Sequence, residues 1–286
     1  MSCFWLSLFG LPRSRIFCTF VAKIDSMENN SRPLILVTND DSIDAPGLHV
    51  LVRMAAEHGD VVCVAPRFPQ SGKSSSMTFT APLRLREAQP ANAVEGVKYF
   101  TVDGTPVDCI KLGLFAAVDR RPDYVLAGVN HGSNSGVNVL YSGTMGAVLE
   151  GCVEGIPSAG FSLLHHSLAA DFSLSEPLMR EVLARFIANP PKQGVCLNIN
   201  VPAKIVPKGV RGCRSCRGRW TDGYEQYTDP MGRPFYMLAG RFVNEEPEAT
   251  DTDEYWLDRG YIAVVPVTHE MTATNALPYA AVYDDI

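Results

Sequence analysis

The chain has 286 residues, of which 46% are hydrophobic and 20% are charged. This size and composition are typical of a globular protein with a substantial core, and they exclude collagen-like and low-complexity chains. The formal net charge of −6 argues against a nucleic-acid partner, because general nucleic-acid binders carry a basic excess.

Cysteine usage and hydropathy indicate a cytoplasmic protein without a membrane partner. The eight cysteines are mostly single and lie in apolar stretches, so we expect free buried thiols and not a disulfide framework. Cys213 and Cys216 have the spacing of a zinc-ligand pair, but no second pair lies nearby, which favours an incidental loop pair. No apolar run reaches the length of about 18 residues that spans a bilayer.

Residues 1–32 precede the first predicted strand, and we interpret them as a disordered N-terminal extension. The apolar stretch from Cys3 to Leu11 has no positive charge before it and no small-residue cleavage site after it. A transit peptide is therefore the less favoured alternative, and Met27 is a second candidate for the start of the protein.

Predicted strands and helices alternate from Pro33 to about Pro202. A buried strand at 34–38, a helix opened by Pro46 and a buried strand at 61–65 make the first β-α-β unit. Further strands are predicted at 83–86, 97–102, 124–127, 158–162 and 195–201, and further helices at 106–118, 143–153 and 176–188. This pattern predicts an α/β fold with a doubly wound, mostly parallel, Rossmann-like sheet that binds ligands at the carboxyl ends of its strands.

The composition changes after residue 202. Residues 203–260 are rich in charge, glycine, proline and tyrosine, and we predict an extended arm or hairpin that serves oligomerisation, with solvated loops as the alternative. A strand from Tyr261 to Val267 then returns to the core. The predicted organisation is an extension at 1–32, a core at 33–202, an arm at 203–260 and a return at 261–286.

Polar residues follow three of the predicted parallel strands. The first strand ends in Asn39-Asp40-Asp41-Ser42, the second leads to Gln70-Ser71-Gly72, and the strand at 124–127 leads to Asn130. Two adjacent carboxylates are costly to bury unless a cation compensates them, although a simple turn or helix cap is the alternative. Hydroxyl and amide oxygens of Ser71 and Asn130 can complete a site for Mg²⁺ or Mn²⁺.

The segment Tyr141-Ser142-Gly143-Thr144-Met145-Gly146 enters a predicted helix with small residues at its start. Free backbone N–H groups there can cradle a phosphate, although an N-cap without a ligand is the commoner meaning of such a segment. The chain has neither a Walker A ending nor a dinucleotide glycine fingerprint. A metal site beside a phosphate cradle predicts phosphate ester hydrolysis.

Together these motifs resemble the stationary-phase survival protein SurE family of metal-dependent 5′/3′-nucleotidases. The resemblance runs in order from about Leu34 to Val267. It is carried by Asn39-Asp40-Asp41, Val64-Ala65-Pro66, Gln70-Ser71-Gly72, Gly104-Thr105-Pro106-Val107-Asp108-Cys109, Gly128-Val129-Asn130-His131-Gly132, Tyr141-Ser142-Gly143-Thr144 and Leu197-Asn198-Ile199-Asn200-Val201-Pro202.

The resemblance implies one divalent metal per subunit, most simply Mg²⁺ or Mn²⁺, and a homodimer or homotetramer in which a C-terminal hairpin is exchanged. The implied metal ligands are Asp40, Asp41, Ser71 and Asn130, and either aspartate is a candidate catalytic base. The implied substrate or phosphate contacts are Asn39, Asn134, Ser142, Gly143 and Thr144.

The chain departs from the family pattern at two positions. Ser42 stands where the family usually has glycine, and His269 stands one place later than the histidine of many members, which leaves its role open. We interpret His131, at a variable position, as a loop histidine.

We therefore expect a phosphomonoesterase that releases phosphate from nucleoside 5′-monophosphates, with 3′-monophosphates and short polyphosphate as further candidate substrates. A nucleotide-sensing module without catalysis and a nucleoside glycosidase are the alternatives that use the same crevice.

Overall fold

The computed structural model describes residues 32–221 and 223–283, so the predicted N-terminal extension lies outside the described residues except for Arg32. The strands are β1 (Leu34–Thr38), β2 (Asp60–Pro66), β3 (Leu85–Glu87), β4 (Lys98–Val102), β5 (Tyr124–His131), β6 (Ser158–Leu163), β7 (Val195–Val201), β8 (Val210–Gly212), β9 (Gly218–Thr221), β10 (Tyr224–Thr228), β11 (Pro234–Leu238), β12 (Arg241–Asn244) and β13 (Ile262–Thr268). The α-helices are α1 (Pro46–Ala56), α2 (Pro106–Leu112), α3 (Gly143–Val153), α4 (Glu176–Ala188), α5 (Asp253–Asp258) and α6 (Leu277–Ala280).

A nine-stranded sheet with the order β3-β4-β2-β1-β5-β6-β7-β13-β8 forms the centre of the protein. The strands from β4 to β7 in this order are all parallel, whereas β3 and β13 run antiparallel to β4 and β7. Helices connect successive parallel strands in the chain, except between β2 and β4, where the edge strand β3 intervenes. This architecture confirms the predicted doubly wound, mostly parallel α/β fold.

Both faces of the sheet are covered, which explains why β1 is apolar at nearly every position. Side chains alternate between the faces of a strand, so Ile35 and Val37 pack in the cluster that includes residues of α1 and α4. Leu34 and Leu36 pack instead in the cluster that includes residues of α2 and α3. A continuous apolar run is therefore the pattern that a strand buried on two sides requires.

The strand order reverses at β1, which places a crevice at its carboxyl end. The chain goes from β1 to β2 on one side of β1, and β5 later pairs with β1 on the other side. In open parallel sheets such a reversal separates the flanking loops and leaves room for a ligand.

Strand β5 continues four residues beyond its predicted end at 127, with an irregular register against β6 between Ala127 and Asn130. The structure allows this because Gly128 has a φ of +116°, and a Cβ there would lie 2.2 Å from the carbonyl oxygen of Phe161. Bulges of this kind re-aim side chains next to active sites. Asn130 consequently belongs to a strand and not to a free loop.

Helix α2 also differs from its predicted extent of 106–118. Thr105 and Asp108 form a reciprocal capping box, and a π-helical turn over Gly113–Ala117 follows the α-helical part. The residues between β8 and α5 form two antiparallel pairs, β9 with β12 and β10 with β11. Within the part of the chain that the structure describes, no helix is both long and apolar enough to cross a bilayer.

Candidate active site

Four segments converge on the Asp40-Asp41 pair at the carboxyl end of β1. The N–H of Gln70 donates to the carbonyl oxygen of Asp40 at 2.7 Å, and the N–H of His131 donates to Oδ2 of Asp41 at 2.9 Å. The hydroxyl of Thr144 donates to Oδ1 of Asp40 at 2.5 Å. The loops after β1 and β2, the end of β5 and the start of α3 therefore share one small region. Strand direction predicted the convergence of the first three of these segments.

The turn that carries the aspartates is held by Asn39. Its side-chain amide donates to the carbonyl oxygen of Ser42 at 2.8 Å, and the residue is only 1% exposed. Ser42 has a φ of +93°, in the left-handed region that favours glycine. The serine at this departure from the family pattern thus adopts the backbone conformation that a glycine would adopt without strain.

Asp40 is buried, and the half-buried Asp41 lies next to it in the chain. Burial, together with the smaller effect of the charge of Asp41, raises the pKa of Asp40 to about 6 against the opposing hydrogen bonds from Thr144. Burial also raises the pKa of Asp41, against the hydrogen bond from His131. Among residues 32–221 and 223–283 neither carboxylate forms an ion pair with lysine or arginine. A bound cation would remove both penalties.

The start of α3 packs directly on Asp40. Ser142 is the N-cap residue, and its hydroxyl oxygen accepts a hydrogen bond from the N–H of Met145 at 3.0 Å. A Cβ on Gly143 would lie 2.9 Å from Cβ and 3.0 Å from Oδ2 of Asp40, so a larger residue does not fit without a shift. The hydroxyl of Thr144 is already used by Asp40.

The loop after β2 closes against the same helix. The hydroxyl of Ser74 donates to the carbonyl oxygen of Leu140 at 2.6 Å, and a Cβ on Gly146 would lie 2.3 Å from the carbonyl oxygen of Ser74. Residues 70–73 form a turn in which Gly72 has a φ of +72°. Ser71 lies exposed in this turn, one residue after the N–H group that binds the backbone of Asp40.

Asn130, near the end of β5, and Asn134, after this strand, have different surroundings. The side-chain amide of Asn130 donates to the carbonyl oxygen of Gly132 at 2.9 Å, which leaves its Oδ1 free to accept or to coordinate. Asn134 is buried, and its side-chain amide donates to the hydroxyl of Ser162 at 2.8 Å. Its N–H donates to Oδ1 of Asn200, also at 2.8 Å. The side-chain amide of Asn134 is thus bound to a residue of β6 and does not point toward the two aspartates as a free donor.

The histidines near the family motifs occupy three distinct places. The ring of His131 is held between the N–H of Gly47, which donates to Nε2 at 3.3 Å, and the carbonyl oxygen of Ser167, 2.9 Å from Nδ1. This pairing assigns the proton to Nδ1. His269 follows Thr268, which pairs with the first residue of β7, so it lies at the opposite edge of the parallel strands, where its Nδ1 is 3.7 Å from Sγ of Cys152.

Sequence reasoning missed His166, which follows the carboxyl end of β6. A Cβ on Gly132 would lie 2.8 Å from Nδ1 of His166 and 3.8 Å from the side-chain nitrogen of Asn130, so the exposed imidazole lies at the rim of the site. The signal that could have identified it is its position after a parallel strand of the same sheet.

The donor set of the site fits a hard divalent cation. No group of three or more His, Cys, Asp or Glu side chains in the described ranges is placed to hold a metal. The site instead offers two carboxylates with neutral oxygens of Asn130 and Ser71 nearby, the ligand type that Mg²⁺ and Mn²⁺ prefer. Cys213 and Cys216 are free thiols, and burial raises the pKa of both.

An open cavity of about 490 Å³ lies along the same loop after β2. Its lining residues include Phe68, Gln70, Lys73 and Thr105, so it shares Gln70 with the backbone contact to Asp40. This volume is in the range of small-molecule sites.

Comparison with known proteins places this site in a family. The family model of survival protein SurE matches residues 35–222. A "5′-nucleotidase SurE" of Phocaeicola vulgatus is 43% identical over 242 residues, which cover 85% of this chain and 93% of the relative. A protein of the same name from Chlorobaculum tepidum is 42% identical over 246 residues, covering 84% of this chain and 90% of the relative.

The fold comparison agrees with the sequence comparison. The crystal structure of the SurE protein from Aquifex aeolicus superposes with a TM-score of 0.73 at 31% identity. The match covers 86% of this chain and 98% of that protein. The resemblance predicted from the motifs is confirmed by both comparisons.

Proposed function

Because the chain belongs to the SurE family, we propose that it is a 5′-nucleotidase that hydrolyses nucleoside 5′-monophosphates to nucleoside and phosphate. The observation that carries this proposal is the buried Asp40 beside the half-buried Asp41, which have no lysine or arginine partner among the described residues and lie against the start of α3. Two uncompensated carboxylates favour a divalent cation, and a helix start favours an anion. A metal and a phosphate group side by side are what phosphate ester hydrolysis requires.

The metal would be held by Asp40, Asp41, the Oδ1 of Asn130 and the hydroxyl of Ser71. A bound Mg²⁺ or Mn²⁺ neutralises charge on the phosphate oxygens and lowers the pKa of water. The hydroxyl of Thr144 orients Asp40 from one side. Asp41 is the more exposed of the two aspartates, and we assign it the role of general base that accepts the proton of the attacking water.

The phosphate would lie at Ser142 and Gly143. The N–H of Gly143, at the first position of α3, has no acceptor inside the helix. The hydroxyl of Ser142 accepts from Met145 and keeps its own hydrogen for donation to a phosphate oxygen. We assign Asn39 and Asn134 the task of holding the turn and the loop, since their amides donate to Ser42 and Ser162.

The nucleoside would lie in the neighbouring cavity of about 490 Å³. Phe68 is 60% exposed there and offers a ring for stacking, and Lys73 adds a positive charge beside the phosphate. These residues favour nucleotides over smaller phosphate esters, and the same charge would admit 3′-monophosphates and short polyphosphate.

The arm at residues 203–260 would serve oligomerisation, as a homodimer or homotetramer. All residues of strands β10 and β11 are exposed, and they include Tyr236 at 61% and Leu238 at 80% exposure. An exposed apolar hairpin of this kind favours burial in a subunit interface. Light scattering after size-exclusion chromatography tests this assignment, and a monomer at all concentrations would contradict it. The six described cysteines are free thiols, which favours the cytoplasm.

A phosphate-release panel tests the proposed function. The purified full chain is assayed on the four ribonucleoside 5′-monophosphates, their 3′ isomers and short polyphosphate, with Mg²⁺, Mn²⁺ or EDTA. We expect turnover of 5′-monophosphates that EDTA abolishes. Nucleotide binding without phosphate release would favour the sensing module, and release of free base would favour the glycosidase.

A further inference from the structure

The C-terminal arm contacts the candidate site through the segment between β5 and α3. We call residues 132–142 of this segment the site loop. The loop joins Asn130, a proposed metal ligand, to Ser142 and Gly143, the proposed phosphate contacts. The sheet binds Asn134 near its start and Ser74 binds Leu140 near its end, whereas residues 135–138 between them are bound by residues of the arm.

Asp253, the first residue of α5, makes the most buried of these contacts. One oxygen of its carboxylate accepts a hydrogen bond from the N–H of Gly136 at 2.8 Å. The other accepts from the N–H groups of Cys216 at 2.8 Å and Glu254 at 2.9 Å. Asp253 is 0% exposed, and these three N–H donors satisfy the oxygens of its buried carboxyl group.

Two further side chains of the arm hold residues on either side of Gly136. The hydroxyl of Ser135 donates to the carboxylate of Glu254. The indole N–H of Trp220 donates to Oδ1 of Asn138 at 2.8 Å.

Gly136 packs closely against the arm, and a side chain at this position would not fit without a shift. Its φ is +54°, and a Cβ there would lie 2.9 Å from Sγ of Cys216 and 3.0 Å from Cζ of Phe242. The loop is therefore clamped at three successive points by elements more than 80 residues away in the chain.

We propose that Asp253, Glu254 and Trp220 are positioning residues that set the site loop and thereby the spacing between the proposed metal and phosphate contacts. This inference rests on the proposed function. It gives the arm a second role beside oligomerisation, namely to position the site loop. A displacement of the reacting groups by about 1 Å can cost on the order of a hundredfold in rate, so a loosened clamp lowers kcat.

Glu254 and Trp220 are the residues to test, because the buried Asp253 has a larger role in folding. We expect Glu254→Ala to lower kcat about tenfold with KM nearly unchanged, because the loop loses one of its holding points. Glu254→Gln keeps an acceptor for Ser135 and restores kcat to within about threefold of the natural enzyme. Trp220→Phe keeps the aromatic contact with Phe242 and removes only the hydrogen bond to Asn138, so we expect a smaller loss of kcat.

The matched control is Trp256→Phe. Trp256 belongs to the same arm, but its indole packs against Tyr255 and Tyr261 at the other side of α5. We expect its kcat and KM to equal those of the natural enzyme.

Hydrogen–deuterium exchange of residues 133–144 provides a readout that needs no substrate. We expect faster exchange in Glu254→Ala and Trp220→Phe and unchanged exchange in Glu254→Gln and Trp256→Phe. Unchanged exchange in Glu254→Ala, or a loss of kcat that Glu254→Gln does not restore, would overturn the inference. If the natural enzyme released no phosphate, the proposed function would fail, and the exchange data would still decide whether the arm positions the loop.

Discussion

Replacing Asp40 by asparagine should make the metal-free protein more stable at neutral and alkaline pH while abolishing turnover. Asparagine has nearly the same shape, and its Oδ1 can still accept the hydrogen bond from Thr144. It has no charge to bury. The variant therefore separates the cost of the buried carboxylate from its packing.

The magnitude follows from the pKa. Burial raises the pKa of Asp40 from 3.8 to about 6, and one pKa unit corresponds to about 1.4 kcal/mol. Because the folded-state pKa is the higher one, the stability that the protonated form contributes is present below about pH 4 and is lost as pH rises through about 6. The ionised form then costs about 3 kcal/mol, an upper value because water and local relaxation reduce it.

The assay is urea unfolding in EDTA at about pH 4, close to the unfolded-state pKa of 3.8, and at about pH 8, above the folded-state pKa of about 6. At the higher pH we expect Asp40→Asn to exceed the natural protein by about 1–3 kcal/mol in free energy of unfolding, and at the lower pH to equal it. Saturating Mn²⁺ should remove most or all of this difference, because the metal stabilises the natural protein by about 2.7 kcal/mol at a hundred times Kd. Phosphate release should fall at least about a hundredfold.

The matched control is Asp119→Asn, since the side chain of Asp119 is 96% exposed. Its effect should stay within about 0.5 kcal/mol at both pH values. An Asp40→Asn variant less stable than the natural protein at pH 8 in EDTA, or an equal difference at both pH values, would refute the reasoning.

Three further predictions concern the same region. Asp41→Ala should abolish EDTA-sensitive phosphatase activity with an unchanged circular dichroism spectrum, and normal turnover with Mn²⁺ would contradict the metal assignment. Thr144→Ala should lower kcat/KM about ten- to a hundredfold. Gly143→Val should lower kcat/KM further, because its Cβ would lie within 3.0 Å of the carboxylate of Asp40. If both variants lost melting temperature but kept normal turnover, this segment would be an ordinary N-cap. Ser42→Gly should raise the free energy of unfolding by about 0.5–1 kcal/mol, since relief of left-handed backbone strain of about 1–2 kcal/mol exceeds the entropic cost of glycine in the unfolded chain. A urea titration that shows destabilisation would mean that the serine side chain itself stabilises the turn.

Local signals in the sequence determined the elements of the fold. The apolar run at 34–38, the helix at 176–188 and the strand at 195–201 have the predicted bounds. Alternation and capping act between neighbours in the chain, so they can be identified without the tertiary structure. Strand direction also sufficed to bring Asp40, Asp41, Ser71 and Asn130 to one edge of the sheet.

The tertiary structure alone decided which atoms of these residues meet. Thr144 donates to Asp40 over a separation of 104 positions, Asn134 turns its amide inward to Ser162, and Asp253 holds Gly136 from the arm. A one-residue change of register or a different rotamer would break each of these contacts while leaving every helix and strand in place. Periodicity specifies which face of an element is buried, whereas hydrogen bonds of 2.5–2.8 Å between distant segments depend on how those faces pack together.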